Sequence, residues 1–120
     1  MGPVAHLAID RWFSADWQAK HPERVEAVRT LLVSNDLDAY AKAYQVFCDG
    51  DPLMPAAAAS ITSPTLVMTG ELDVGSTPAM TTAIAAAIPD AIAVILPGLH
   101  HLPAVEDPAR VSGELTGFFA

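Results

Sequence analysis

The sequence predicts an α/β chain, with a helical segment over residues 1 to 62 and a strand-helix-strand-helix unit with parallel strands over residues 63 to 120. Three observations predict it. Apolar residues of the first half recur at three- and four-residue intervals, the spacing of one helix face. Two later stretches, Thr65-Leu-Val-Met-Thr69 and Ile92-Ala-Val-Ile-Leu96, are short and almost continuously apolar, as strands buried on both faces of a parallel sheet are. Between them Thr77-Pro78 opens a helix, so the two strands are joined by a crossover, which is right-handed.

Element by element, Leu7 to Trp17 crowds Trp12, Phe13 and Trp17 beside Arg11, a cluster that either anchors one helix on another or lines a pocket. Pro22 fits a first helical position, and Val25, Val28 and Leu32 then share a face while Glu23, Arg24, Glu26 and Arg29 stay in water. Asn35 breaks this pattern and Asp36 restarts it as an N-cap, with Leu37, Tyr40, Tyr44, Phe47 and Cys48 at helical spacing until Asp49-Gly50-Asp51-Pro52. A short helix over Leu53 to Ser60 precedes the break at Ser63-Pro64. After the first strand, Met80, Ile84, Ala87 and Ile88 form a helix face up to Pro89. Asp107 and Pro108 start a last helix with a stripe of Val111, Leu115, Phe118 and Phe119. Two parallel strands alone leave edges unpaired. A separate chain, a second copy, or the helical first half must cover them.

A chain of 120 residues is one domain or part of one. With 52% apolar and 17% charged residues it has the composition of a packed protein rather than a disordered one. Fourteen acidic against six basic residues give a formal charge of -8, which repels phosphate backbones and anionic membranes. Nucleic-acid and membrane partners are therefore not expected. No run approaches a membrane span, Met1-Gly-Pro-Val lacks a signal-peptide layout, and His6 stands where a myristoylation motif needs Ser or Thr. The expectation is a soluble, cytoplasmic protein. The lone Cys48 forbids an internal disulfide and falls on the apolar side of its helix, where it reads as a small buried hydrophobe rather than a nucleophile.

Functional groups of open α/β sheets gather beyond the C-terminal ends of strands. Asp73, in Thr-Gly-Glu-Leu-Asp after the first strand, and the pair His100-His101 after the second both occupy such positions. A carboxylate beside an imidazole fixes its tautomer and stabilises the imidazolium formed when it takes a proton. The alternative is an Asp that caps a turn and a loop histidine in solvent. A metal site would need His6 or His21 as a third ligand, and none is expected. Glu71 and Glu106 are expected in solvent. No serine lies in a Gly-x-Ser-x-Gly elbow: Ser14, Ser34, Ser60, Ser63, Ser76 and Ser112 all lack it.

Pro64-Thr-Leu-Val-Met-Thr-Gly-Glu-Leu-Asp73 and Ile95-Leu-Pro-Gly-Leu-His-His-Leu-Pro-Ala-Val-Glu-Asp-Pro108 together resemble the C-terminal section of the α/β-hydrolase superfamily. The helical segment from Arg11-Trp-Phe through Tyr40 to Asp49 resembles the cap of its 3-oxoadipate enol-lactonase branch. The resemblance implies a partial α/β-hydrolase fold, with residues 1 to 62 the cap segment and 63 to 120 the C-terminal part of the core. It makes Asp73 the acid and His101 the histidine of a catalytic triad, with His100 a neighbour of the base. Trp12, Arg11 and Trp17 become candidate substrate-binding residues, and no cofactor is implied. The family's nucleophilic serine and oxyanion hole have no counterpart in these residues.

Two functions follow from that resemblance. In one, the chain is the cap and C-terminal section of a serine hydrolase acting on a carboxylic ester or enol-lactone, its partners being the small substrate and a complementing N-terminal hydrolase chain, or further copies of itself. In the other, it is a catalytically silent, truncated or self-associating domain derived from a hydrolase. Esterases, haloperoxidases and dehalogenases of the superfamily share similar acid and histidine loops, so these motifs alone do not select a substrate.

Overall fold

Prolines and short polar side chains set the helix starts. In the computed structural model, which describes residues 1 to 120, Pro22, Pro78, Pro103 and Pro108 each lie in the first turn of a helix, where the missing N–H breaks no hydrogen bond. Ser14, Asp36, Thr77 and Asp107 cap helices by accepting the N–H of Trp17, Ala39, Met80 and Arg110. The chain divides into two compact units, Met1–Ala57 and Ala58–Ala120.

The first unit is helical: α1 (Gly2–Trp12), α2 (Ala15–Lys20), α3 (Pro22–Ser34) and α4 (Leu37–Gly50), with a 3₁₀ turn at Asp51–Leu53 leading into α5 (Met54–Ala59), which runs across the boundary. Helix α1 packs on α3. Ala5, Ile9, Phe13 and Val25 are the buried residues, and the large ones each contribute roughly 1.5–3 kcal/mol by leaving water. As their spacing predicts, Val25 is the most buried residue of the α3 face, with Val28 and Leu32 half-buried. Phe13 stacks on Trp17 at 4.6 Å between ring centroids, and Trp17 meets His21 at the same separation. These contacts join α1, α2 and the start of α3.

Helix α4 departs from expectation, because it buries none of its residues. Tyr40, Tyr44 and Phe47 make ring contacts along it, but Phe47 is 70% exposed and Cys48 is exposed as well. Cys48 is thus not the buried hydrophobe its position suggested. An apolar helix face becomes core only when another element covers it, and spacing alone does not supply that element. The stop predicted at Asp49-Gly50-Asp51-Pro52 is a softer one, since Asp51 keeps helical dihedrals and the chain tightens into the 3₁₀ turn.

The second unit holds β1 (Thr65–Gly70), α6 (Pro78–Ala87), β2 (Ala91–Leu96), the single turn α7 (Pro103–Glu106) and α8 (Pro108–Phe119). Strands β1 and β2 pair in parallel, Thr65 opposite Ala91 through Gly70 opposite Leu96, and α6 packs on both. This is the predicted strand-helix-strand unit. Burial on both faces is not realised: Leu96 is fully buried, yet Ile92 is 56% exposed. One crossover helix cannot cover two faces of a sheet, so residues at the start of β2 stay open. The in-register pairing ends both strands at one level, and from there the loops after Gly70 and Leu96 emerge side by side.

Candidate active site

Gly70 closes β1 because nothing larger fits. A Cβ at this position would fall on the carbonyl oxygens of Leu99 and His100, so the two loops can approach only across a glycine. Three hydrogen bonds then fasten them. Glu71 N–H donates to the Leu96 carbonyl and Leu72 N–H to that of Leu99, both at 2.9 Å, while the Glu71 carboxylate accepts Gly98 N–H at 2.9 Å. Gly98 turns the second loop with φ of 75°, a conformation that L side chains resist. Glu71 remains exposed as expected, but it ties the loops together.

On that frame Asp73 is 5% exposed and its carboxylate is well satisfied. Oδ1 accepts the N–H groups of Gly75 at 2.7 Å and Ser76 at 2.9 Å, and Oδ2 faces His101 Nδ1 at 2.8 Å. Thr69 Oγ1 donates to the Ser76 carbonyl at 2.8 Å and lies 3.3 Å from Oδ2, bracing the turn. Burial by itself pushes the Asp73 pKa up. The N–H donors of Ser76 and Gly75, followed by the His101 hydrogen bond and charge, outweigh burial and hold it below the ordinary aspartate value. Asp73 is therefore ionised near neutrality. An ionised carboxylate only accepts hydrogen bonds, so the proton of a neutral His101 sits on Nδ1 and the basic lone pair on Nε2.

His101 keeps 29% of its side chain exposed, against 3% for Asp73, so the imidazole borders solvent while its partner does not. Position alone left His100 and His101 level and the resemblance pointed to His101; in the structure the two rings have different partners. His100 turns to Glu106, with Nδ1 3.1 Å from Oε2 and its backbone N–H donating to Oε1 at 2.9 Å. The Glu106 side chain is only 1% exposed, which corrects the expectation that it is solvated. The reason is α7, whose single turn brings Glu106 back beneath the loop it has just left. Pro103 and the spacing to Glu106 were the available signals, and a four-residue helix is too short to show periodicity.

Of the other candidates, Arg11 is exposed, Trp12 half-buried and Trp17 part of the ring stack with Phe13 and His21, all in the first unit. His6 faces Asp10 at 3.4 Å and His21 faces Glu23 at 4.0 Å. No three His, Cys, Asp or Glu side chains converge as metal ligands.

No protein-family model and no curated protein matches the chain. Solved structures do. The enol-lactonase from Burkholderia xenovorans LB400 is 28% identical and superimposes with a TM-score of 0.92 over 99% of this chain and 45% of its own. A hydrolase from Pseudomonas aeruginosa PA01 is 28% identical with a TM-score of 0.91, over 100% of this chain and 44% of its own. A thermophilic esterase from Thermogutta terrifontis is 30% identical with a TM-score of 0.83, over 98% and 43%. The chain spans less than half the length of the structures it matches. By fold, the chain is a partial α/β-hydrolase, similar to the C-terminal section of that superfamily.

Proposed function

We propose that this chain supplies the acid and the histidine of a serine hydrolase triad acting on a carboxylic ester or an enol-lactone. The observation that carries the proposal is the 2.8 Å contact between His101 Nδ1 and a buried Asp73 whose pKa is lowered. No Gly-x-Ser-x-Gly elbow occurs in these 120 residues, so in this reading the serine is supplied from outside this chain. Its hydroxyl loses a proton to His101 Nε2 as the oxygen attacks the substrate carbonyl, and Asp73 stabilises the imidazolium that results. His101 returns the proton to the departing alkoxide or enolate oxygen. It then takes one from water, whose oxygen attacks the acyl-enzyme, and restores the serine hydroxyl as the acid leaves. Arg11 is a cation available to a small anionic substrate, and Trp12 and Trp17 are its apolar neighbours in sequence. An enol-lactone is favoured over other esters by the likeness to the enol-lactonase.

The second reading, a chain catalytically silent by itself, rests on the sequence, because no Gly-x-Ser-x-Gly elbow occurs in it. Loss of the nucleophile alone costs about a millionfold in turnover in a serine hydrolase. The two readings part in one experiment. The chain is assayed on p-nitrophenyl esters and on an enol-lactone, alone and co-expressed with the N-terminal portion of the similar enol-lactonase. Hydrolysis by the purified assembly that falls on the order of 10⁶-fold with His101→Ala supports the triad. An assembly that forms but hydrolyses neither substrate, or keeps its rate with His101→Ala, contradicts it.

A further inference from the structure

The His100–Glu106 pair lies against the proposed base yet has no part in the proton transfers. Its carboxylate is the most deeply enclosed of any acidic side chain in an ion pair here, 1% exposed against 3% for Asp73. Burying a carboxylate is costly unless its oxygens are satisfied. Both are satisfied by one residue, Oε1 by the His100 backbone N–H at 2.9 Å and Oε2 by the His100 ring at 3.1 Å. A ring contact alone would leave the backbone free to pivot. The bond to the N–H fixes the peptide that joins Leu99 to His100, one residue before His101.

That peptide is also where the loops touch. The Leu99 carbonyl accepts Leu72 N–H at 2.9 Å, and the Leu99 and His100 carbonyls pack over Gly70. Peptide 99–100 is therefore held from both sides, by the acid-bearing loop through its carbonyl and by α7 through its N–H. Glu106 is rigidly supplied in turn, because its own N–H donates to the Leu102 carbonyl at 3.0 Å within the turn that starts at Pro103. We infer that Glu106 is a positioning residue, whose carboxylate oxygen holds the His100 N–H and so keeps His101 Nδ1 in register with Asp73. This rests on the proposed function only in calling His101 the base, and the geometry it describes exists in the chain alone.

The test uses the full chain and long-range ¹H–¹⁵N spectra of the histidine rings, which report which nitrogen carries the proton. Wild-type His101 is expected in the Nδ1–H form, whereas an unrestrained imidazole favours Nε2–H. Glu106→Ala removes the acceptor, and Glu106→Asp withdraws it by one methylene while keeping the charge. Each, still folded by circular dichroism, should lose most of the His101 Nδ1–H population. Glu106→Gln keeps an oxygen for the His100 N–H and should retain it. Folded Glu106→Ala or Glu106→Asp with wild-type His101 tautomer overturns the inference, as does Glu106→Gln that loses it. A merely structural role would lower thermal stability without moving the tautomer. Because no turnover is measured, failure here is separate from failure of the hydrolase proposal, which the ester assay decides.

Discussion

At the scale of single residues, Gly70 and Asp73 hold the strongest constraints. Gly70→Ala places a methyl group on the Leu99 and His100 carbonyls, of which that of Leu99 is held by the Leu72 N–H. Overpacking of this kind costs about 1–3 kcal/mol. Chemical denaturation of the variant should show that loss, together with departure of His101 from the Nδ1–H form. Asp73 couples stability to pH. Its pKa is lower in the folded chain than unfolded, so the folded state binds fewer protons through that range. The stabilisation is complete above the ordinary value of about 3.9 and is lost as pH falls through the lowered folded value. Urea midpoints measured from about pH 6 to about pH 3 should fall for the wild type more than for Asp73→Asn. Equal slopes would mean that Asp73 is not held ionised by its donors.

At the scale of elements, caps and breaks were the readable features. Pro22, Asp36, Thr77-Pro78 and Asp107-Pro108 start helices in the structure where residue chemistry says they should, because capping is a local bargain between one side chain and one N–H. Asp36→Ala should therefore cost about 1 kcal/mol, seen as a lower thermal midpoint for the first unit. The loops carrying Asp73 and the two histidines were equally readable from the apolar runs before them. What was not readable was the outcome of long-range contact. The exposure of Cys48 and of Ile92 depends on which elements cover α4 and β2. The role of Glu106 depends on a one-turn helix without a pattern of its own. Spacing alone does not choose between His100 and His101, because that takes the directions of two adjacent side chains; it was the family resemblance that pointed to His101.

At the scale of the whole molecule, large apolar side chains lie open on both units: Leu31, Val46 and Phe47 on the first, Ile92 and Phe119 on the second. Where such side chains form one contiguous patch, it marks a place where other protein packs. The chain spans less than half of each matched hydrolase, which accords with a complementing segment as the proposed occupant. Such a segment should raise the thermal midpoint with the logarithm of its concentration above Kd, as binding to the folded state alone requires, and bring the nucleophile with it. No shift with added segment would favour self-association, which sedimentation would then show.

If Asp73 orients His101 as a base, the tautomer of His101 near neutral pH reports it. A proton on Nδ1 is expected in the wild type, and its loss or relocation in Asp73→Asn, whose amide can donate where the carboxylate only accepted. A His101 ring that shows the same tautomer mixture as an exposed histidine in both proteins would mean that Asp73 does not orient it.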